Sequence, residues 1–362
     1  MDMSIDIEFM APLFELSPNA VIGAENDTVR FANPAAQALL SVRAGDAVST
    51  CLPDYIVSDP SESFIASGMI HAKQLEVIVT RSGGFTLYTL PRPRYEHSDP
   101  MPESMLAELG SFLLTLRLAL DSVIRSIGPE TAPSLKTYTE VLYQCYYRMK
   151  RLHDHASMVS SLTKEQLPFN PRLLSLTEIC GDVCATTDRL VADMGVSILF
   201  EAQDRLAPVT GDARLIEILL FNLLSNSLLH TPSGGAVRVS LSQQGSRCII
   251  AVDDPGSGIP AEKISDLFSV GSETALTDST AGAGFGLALV KGIAGIHNGI
   301  VLAESIPDHG TRIRVSLPIA RPEDMLEVRE PPVAYRKDGM NLALTELSVV
   351  LDKSLYTPKM FD

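Results

Sequence analysis

Two stretches in the middle of the chain repeat apolar residues at alternating steps of three and four. The first runs from Leu106 to Ile127 and the second from Tyr138 to Val159. This spacing predicts two long helices, each with one apolar stripe. The Gly-Pro-Glu-Thr-Ala-Pro sequence at 128–133 between them is a breaker cluster, so we expect an antiparallel hairpin. Because two helices cannot bury both stripes alone, two hairpins should pair into a dimeric four-helix bundle.

The residues before the hairpin follow a different pattern, with short strand-like runs separated by turns. Residues 21–22, 29–31, 75–80 and 85–90 indicate strands, and Arg81-Ser-Gly-Gly84 is a β-hairpin signal. Residues 33–40 read as a helix that has proline at its start. Together these features predict a separate α+β unit over residues 8–95. His71 and Cys51 could in principle hold a haem or a flavin adduct, but each stands alone. An apolar or empty cavity is therefore the favoured interpretation.

The last segment, residues 321–362, is unlike the rest of the chain. Pro322, Pro331 and Pro332 separate it from the preceding domain. The apolar run from Asn341 to Leu351 predicts one docked helix. Packing within the chain is the default interpretation, and a partner-binding peptide is the alternative.

Four polar and glycine-rich phrases follow one another between residues 213 and 319. Two asparagines four apart lie on one face of a helix, where one amide can coordinate Mg²⁺ and the other can brace it. A carboxylate after a strand can accept the amine of a purine, and the glycines next to it admit a close backbone approach. Alternate glycines that open a helix offer amides and positive potential to phosphate oxygens. The order of the phrases therefore predicts a nucleotide site: Asn222-Leu-Leu-Ser-Asn226, Asp254-Pro-Gly256-Ser-Gly258, Gly282-Ala-Gly284-Phe-Gly286-Leu287 and Gly310-Thr311.

Residues 102–320 resemble the transmitter module of two-component sensor histidine kinases. Their ATP-binding domain is of the GHKL (Bergerat) type that gyrase and heat-shock chaperone ATPases share. Further phrases match at Leu267-Phe268, at His297-Asn298-Gly299 and along 310–318. The resemblance implies ATP and Mg²⁺ as cofactors, with Asn226 as the metal ligand. The ATP-binding residues that it implies are Asn222, Asn226, His230, Asp254, Gly256, Gly258, Gly282, Gly284, Gly286, Leu287 and Thr311.

The fold class implied is α+β multidomain. The unit at 8–95 resembles a PAS sensor domain, particularly in its Asn33-Pro34-Ala35 phrase. The resemblance makes residues 101–166 a helical hairpin of the dimerisation and phosphotransfer type. Residues 167–320 would be an α/β sandwich that binds ATP, and residues 321–362 a C-terminal tail.

The phosphoacceptor of this family is missing. Such kinases phosphorylate a histidine that begins a His-Glu-Leu-Arg-Thr-Pro-Leu phrase, and here the phrase begins at Ala107. A methyl group cannot take a phosphoryl group, so autophosphorylation at this position is excluded. Glu108 and Ser111 match a pair that in the family positions a water to remove phosphate from a response regulator; an ordinary solvated helix face is the alternative. His153 and His155 are conceivable substitute acceptors, but surface histidines are the favoured interpretation.

The nucleotide domain also departs from the family pattern. Leu229 stands where the family usually has Lys or Arg near the phosphates, and Gly271 where a second Phe is common. The lid from Val270 to Phe285 contains no Lys or Arg. Because such cations stabilise a transferring phosphoryl group, binding should be better preserved than transfer. Hydrolysis is still less expected, since Asn222 takes the place of the glutamate water-base of gyrase-like ATPases.

Composition fits an intracellular signalling protein. The net charge of −15 over 362 residues argues against binding to nucleic acid or an anionic membrane. No apolar run approaches the roughly 20 residues needed to span a bilayer. Five cysteines without a Cys-x-x-Cys pair suggest reduced thiols in the cytoplasm. Cys180 and Cys184, four apart on a predicted helix, are interpreted as core residues rather than as metal ligands.

Two functional hypotheses follow. In the first, the chain is a cytoplasmic, homodimeric relative of sensor histidine kinases that acts as a phosphatase, or as a kinase on the histidine of another molecule. In the second, it is a pseudokinase: a non-catalytic ATP-binding regulator that sequesters a response regulator or another histidine kinase. An anti-sigma-type serine kinase shares the nucleotide phrases, but the hairpin argues against it.

Overall fold

The computed structural model describes residues 14–15, 17, 19–60, 63–70, 73–82, 84–91, 103–126, 133–259, 267–268, 284–306, 310–320 and 342–356. Several predicted features lie outside these residues. They are His71, the breaker at 128–132, Gly271 and Gly282 with the lid around them, and Asn341.

The N-terminal unit is a five-stranded antiparallel sheet with two short helices. Asn33 caps the first helix: its Oδ1 accepts hydrogen bonds from the amides of Ala36 and Val21, both at 2.9 Å. The helix and the strands predicted before and after it are confirmed, whereas the third strand was not predicted. The elements are β1 (Ala20–Glu25), β2 (Thr28–Ala32), α1 (Pro34–Leu40), α2 (Asp54–Val57), β3 (Ser63–Ile70), β4 (Lys73–Ser82) and β5 (Phe85–Leu90).

Two long helices follow, α3 (Glu103–Ser126) and α4 (Pro133–Thr163). They run in opposite directions, because early residues of α3 meet late residues of α4. His153 Nε2 lies 3.0 Å from the Leu106 carbonyl, and Tyr143 donates to Asp121 at 2.6 Å.

The two predicted stripes differ in burial. On α3, Leu106 and Leu120 are buried, and Leu109, Leu113 and Leu116 are half-buried. On α4, the side of the helix that is buried within the chain carries tyrosines instead, at positions 143, 146 and 147. The predicted α4 stripe is exposed from Tyr138 through Leu152 and becomes buried only near Ala156 and Val159.

In the described part of the C-terminal domain, three helices pack on one face of a sheet. Alternate residues of its central strands are buried against them, among them Val237, Val239, Ile250 and Val315. β6 and β8 form a separate pair beside this sheet. The elements are β6 (Arg172–Leu174), α5 (Leu176–Val191), β7 (Ser197–Ala202), β8 (Val209–Gly211), α6 (Ala213–His230), β9 (Ala236–Gln244), β10 (Arg247–Asp254), α7 (Gly286–Ile296), β11 (Ile300–Ile306) and β12 (Gly310–Pro318).

The N-terminal unit and the C-terminal domain share one ten-stranded sheet, in the order β2-β1-β5-β4-β3-β11-β12-β10-β9-β7. β3 joins them by antiparallel pairing with β11, with Ala66 opposite Leu302. Lys291 on α7 bonds Glu76 on β4 at 2.6 Å, which ties the two parts together beside the sheet. Each part keeps its own apolar cluster, and Leu302 belongs to the N-terminal one.

The C-terminal segment, residues 342–356, packs against α4. It forms a short helix at 342–346, turns to residue 351 and a 3₁₀ turn at Lys353–Leu355. Leu344 and Leu347 are fully buried, and the Tyr356 ring lies 5.3 Å from the Tyr147 ring. One continuous helix to Leu351 was predicted and is wrong. The helix ends at residue 346, shortly before the Ser-Val-Val sequence at 348–350, which has low helix propensity.

Glu217 on α6 is a buried carboxyl, and burial raises its pKa to about 8. The folded protein therefore holds a proton at neutral pH that the unfolded chain releases, so the free energy of unfolding falls as pH rises from about 4.5 to about 8. We expect Glu217→Gln to flatten this dependence by an amount on the order of 2 kcal/mol. Denaturant unfolding at pH 5 and pH 8 measures it. Glu201→Gln on exposed β7 is the control, and an equal slope in all three proteins would contradict the burial argument.

Candidate nucleotide site

Asp254 ends strand β10 and is buried. Its Oδ1 accepts from the Gly256 amide at 3.0 Å, and its Oδ2 accepts from the Ser227 hydroxyl on α6 at 3.2 Å. Burial raises its pKa, and these two hydrogen bonds oppose the rise. A carboxylate has about four acceptor positions, so this one keeps capacity for a ligand donor. Sequence reasoning missed Ser227, although it follows Asn226 directly.

The glycines around Asp254 bring backbone close to it. A Cβ on Gly256 would lie 2.7 Å from Asp254 Oδ1 and 2.9 Å from the carbonyl oxygen of His230. Gly310 has φ +95°, and a Cβ there would overlap the Asp254 carbonyl. Thr311 lies opposite Asp254 in the β10–β12 register and is buried. Gly256 thus lets backbone approach the carboxylate, and Gly310 lets β12 pass close to the main chain of Asp254.

Helix α6 carries the two predicted asparagines one turn apart. Asn226 is half-buried, and His230 at the end of the helix is exposed. Asn222 is 2% exposed, and its Nδ2 donates to the Ile218 carbonyl at 2.8 Å and to Glu346 Oε2 at 3.2 Å. The amide expected to brace a metal ligand therefore contacts the C-terminal segment.

Helix α7 begins against Asn222. A Cβ on Gly286, its first residue, would lie 2.9 Å from Asn222 Oδ1. Phe285 at the N-cap makes no side-chain hydrogen bond to the helix, so the N-cap side chain does not compete with an anion for the first amides. Gly284 has φ +71°, and Gly258 in the loop after β10 has φ +70°, both in the left-handed region that favours glycine. Leu287 is half-buried.

His297, from the matching phrase His297-Asn298-Gly299, fixes the N-terminus of α6. Its Nε2 accepts from the Asp212 amide at 2.9 Å, so its Nδ1 carries the proton that bonds the Ile293 carbonyl at 2.8 Å. Burial lowers the pKa of His297, which keeps the ring neutral and able to accept. Asp212 in turn caps α6. His297 thus holds the helix that bears both asparagines.

A second group of polar residues, which we call the tail cluster, joins three elements: Arg151 and His155 on α4, Asn222 on α6, and Glu346 on the C-terminal segment. Glu346 Oε2 lies 2.7 Å from His155 Nε2 and 3.6 Å from Arg151 Nε. Burial alone would raise the pKa of Glu346, but His155 and Arg151 hold it below its ordinary value. In the sequence, this cluster is indicated only by Glu346, a carboxylate within the apolar run at 341–351.

The hairpin surface carries the predicted acceptor position. Ala107, Glu108 and Ser111 are all exposed in the single chain. His153 lies beside them and is partly buried, with Nε2 near the Leu106 carbonyl. His155 is buried, so interpreting it as a surface histidine was wrong. The docked C-terminal segment covers it, and the periodicity of α4 gives no indication of that contact.

The cysteines on α5 lie in the apolar core. Cys180 and Cys184 are buried, and burial raises the pKa of Cys184 to about 12. Cys51 is buried in the N-terminal unit, where its thiol bonds the Val48 carbonyl at 3.2 Å. No group of three or more potential metal ligands occurs among the described residues. Within the same residues, no helix is both long and apolar enough to cross a membrane.

Comparison with known proteins shows what the domain that carries these residues is similar to. Residues 211–321 match the family of histidine kinase-, DNA gyrase B-, and HSP90-like ATPases. The chain is 25% identical over 224 residues to the adaptive-response sensory kinase SasA of Microcystis aeruginosa, covering 60% of this chain and 58% of SasA. It is 30% identical over 219 residues to the signal transduction histidine-protein kinase BaeS of Escherichia coli, covering 59% of this chain and 45% of BaeS.

Among solved structures, full-length ShkA in complex with AMPPNP aligns with a TM-score of 0.49 and 18% identity, covering 59% of this chain and 46% of that one. The chain spans about half the length of the curated relatives that it matches. Residues 211–321 are thus similar to the ATPase domain of histidine kinases, and the curated relatives that the chain matches include sensor histidine kinases.

Proposed function

We propose that this protein binds Mg-ATP in its C-terminal domain and signals without phosphorylating its own hairpin. The observation that carries the proposal is the buried Asp254 carboxylate, held by Ser227 and the Gly256 amide at the end of β10. A buried acceptor of this kind selects a ligand amine, because a donor left without its partner costs about 1 to 3 kcal/mol.

Two further features support a nucleoside triphosphate as the ligand. The uncapped amides at the start of α7 suit phosphate oxygens. Asn226, half-buried on α6, offers an amide oxygen of the type that Mg²⁺ accepts. Bound Mg²⁺ would neutralise phosphate charge, and Asn226 is the residue that would hold it.

The proposal of no self-phosphorylation rests on two positions. Ala107 supplies no nucleophile at the exposed acceptor position of α3. Leu229, half-buried in the last turn of α6, supplies no cation near the phosphates. Both the transfer target and part of the transition-state stabilisation are missing.

A homodimer through α3 and α4 is part of the proposal. The exposed large apolar side chains of the described residues lie, with the exception of Leu199, on these two helices. An apolar surface of this extent on a two-helix unit favours a second copy as its cover. The residues concerned are Met105, Phe112, Leu114, Leu118, Val123, Leu135, Tyr138, Val141, Leu142, Met149 and Leu152.

The partner in signalling would be a response regulator or another histidine kinase in the cytoplasm. One observation favours phosphatase activity as a second candidate: Glu108 and Ser111 are exposed and one turn apart on α3. Release of phosphate from a phosphorylated response regulator, lost in Glu108→Gln, would establish that candidate. Binding of the regulator with no change in its phosphate would favour sequestration.

The site assignment is tested with Asp254→Asn. We expect its affinity for Mg-ATP to fall by at least about tenfold, because the amide presents a donor where the purine amine needs an acceptor. Asp253→Asn is the matched control: Asp253 is the preceding residue, and its side chain pairs with Arg312 at the surface. Isothermal titration calorimetry measures all three proteins. Unchanged affinity in Asp254→Asn would remove the assignment.

A further inference from the structure

In the tail cluster, a buried acid faces two hydrogen-bond donors and an arginine from two other elements. Glu346 is 2% exposed, yet it is ionised and its carboxylate faces Arg151, His155 and Asn222. Because the carboxylate is ionised, His155 Nε2 donates to it, as does Asn222 Nδ2. Arg151 Nε is buried without a hydrogen-bond partner among the described residues and faces the same oxygen at 3.6 Å.

These donors would form a binding site for an anion whatever residue filled it. Arg151 and His155 lie one turn apart on α4, so they present their side chains on one face of that helix. Asn222 on α6 completes the site from the opposite element. A buried arginine requires an anionic partner, since leaving its charge unpaired in this position is strongly unfavourable.

The site lies directly beside the start of α7. Asn222 links them: its Nδ2 contacts Glu346, and its Oδ1 lies 3.4 Å from Arg151 Nη2 and next to Gly286, the first residue of α7. The uncapped amides of α7 are where the phosphate chain of a nucleotide is expected. The outermost phosphate of that chain would therefore reach the tail cluster before any other part of the ligand.

We propose that Arg151, His155 and Asn222 form an anion site that Glu346 fills from within the chain, and that the terminal phosphate of ATP competes with Glu346 for it. The inference rests on the proposed nucleotide site and adds a regulatory role for the C-terminal segment. Docking of residues 342–356 and binding of a triphosphate then oppose one another. A diphosphate, which lacks the competing group, does not disturb the segment.

Because docking of the segment and binding of ATP are thermodynamically linked, their competition can be measured through either event. If ATP weakens docking of the segment, docking weakens ATP binding by the same factor, and removing Glu346 should relieve that penalty. Three further contacts of the segment with α4 should follow the same equilibrium. They are the Gln144–Leu351 and Arg148–Ser348 hydrogen bonds and the tilted ring contact between Tyr147 and Tyr356.

The first test compares Mg-ATP with Mg-ADP by calorimetry in the wild type and in Glu346→Gln. We expect Glu346→Gln to bind ATP roughly tenfold more tightly, with ADP affinity unchanged. Asp352→Asn is the matched control, since it removes the same charge from an exposed position in the same segment. Equal changes for both nucleotides, or none for ATP, would overturn competition at the terminal phosphate while leaving the nucleotide site intact.

The second test uses the wild-type chain and does not depend on a variant that folds. Amide hydrogen exchange in residues 342–356 should rise with a non-hydrolysable ATP analogue and stay constant with ADP. Protection that is the same with both nucleotides would overturn the proposal. If no nucleotide binds to any of the proteins, the proposed function itself falls, and the competition falls with it.

Discussion

Replacing Ala107 with histidine is expected to leave the protein unable to label itself from ATP, whereas Ala107→His combined with Leu229→Lys should become labelled. The exposed position on α3 accommodates the larger side chain, and Glu108 lies next to it as a general base. The nucleotide domain nevertheless lacks a cation at position 229. A phosphate clamp contributes about 3 kcal/mol or more to such a transition state, so the single variant should be slower by about 100-fold or more.

Radiolabelled ATP and an acid-labile, base-stable adduct provide the readout. Ala107→Asn with Leu229→Lys is the control, because it has a similar side chain that cannot accept a phosphoryl group. Strong labelling by Ala107→His alone, which Leu229→Lys does not increase, would show that the missing cation is irrelevant. An adduct in the wild type at His153 would show that the hairpin has another acceptor.

Charged substitutions on α4 should abolish the proposed homodimer. Leu142→Glu with Leu152→Glu places two carboxylates on the exposed apolar surface of the helix, where the side chains are 48% and 46% exposed. Burying these charges in a four-helix bundle without partners would cost several kcal/mol, so the association constant should fall by roughly 1000-fold or more. Analytical ultracentrifugation over a range of concentrations measures the change.

Leu199→Glu is the control for this prediction. Leu199 is 42% exposed but lies on β7 in the C-terminal domain, away from both helices. It should leave the dimer intact. A wild type that is monomeric at every concentration, or a Leu142→Glu/Leu152→Glu variant that stays dimeric, would exclude the hairpin as the interface.

The sequence predicted the elements whose signals are local. Asn33 followed by proline marked the start of α1, and the three-four periodicity marked α3 and α4. Asp254 was recognisable because a carboxylate between a strand and a glycine turn is a local pattern. The structure adds hydrogen-bond partners of this carboxylate, among them Ser227 and the Gly256 amide.

Contacts between distant parts of the chain could not be predicted in the same way. Glu346 and Asn222 are 124 positions apart, and no periodicity connects them. β3 was missed because its apolar residues are interrupted by serine and glycine, and its place in the sheet depends on β11, more than 200 positions later. The tyrosines of α4, and not its predicted stripe, make the intrachain contact, where Tyr143 bonds Asp121 and the Arg117 guanidinium lies over the Tyr143 and Tyr146 rings.

The pairing of β3 with β11 means that neither partner strand ends the sheet. Removing residues 1–100 would leave the backbone amides and carbonyls of Val301 to Ala303, which β3 now pairs, facing solvent on an apolar strand. Such an open edge is a template for pairing with another molecule. The chain without residues 1–100 would consequently be prone to edge-to-edge association, which the pairing with β3 prevents in the intact protein.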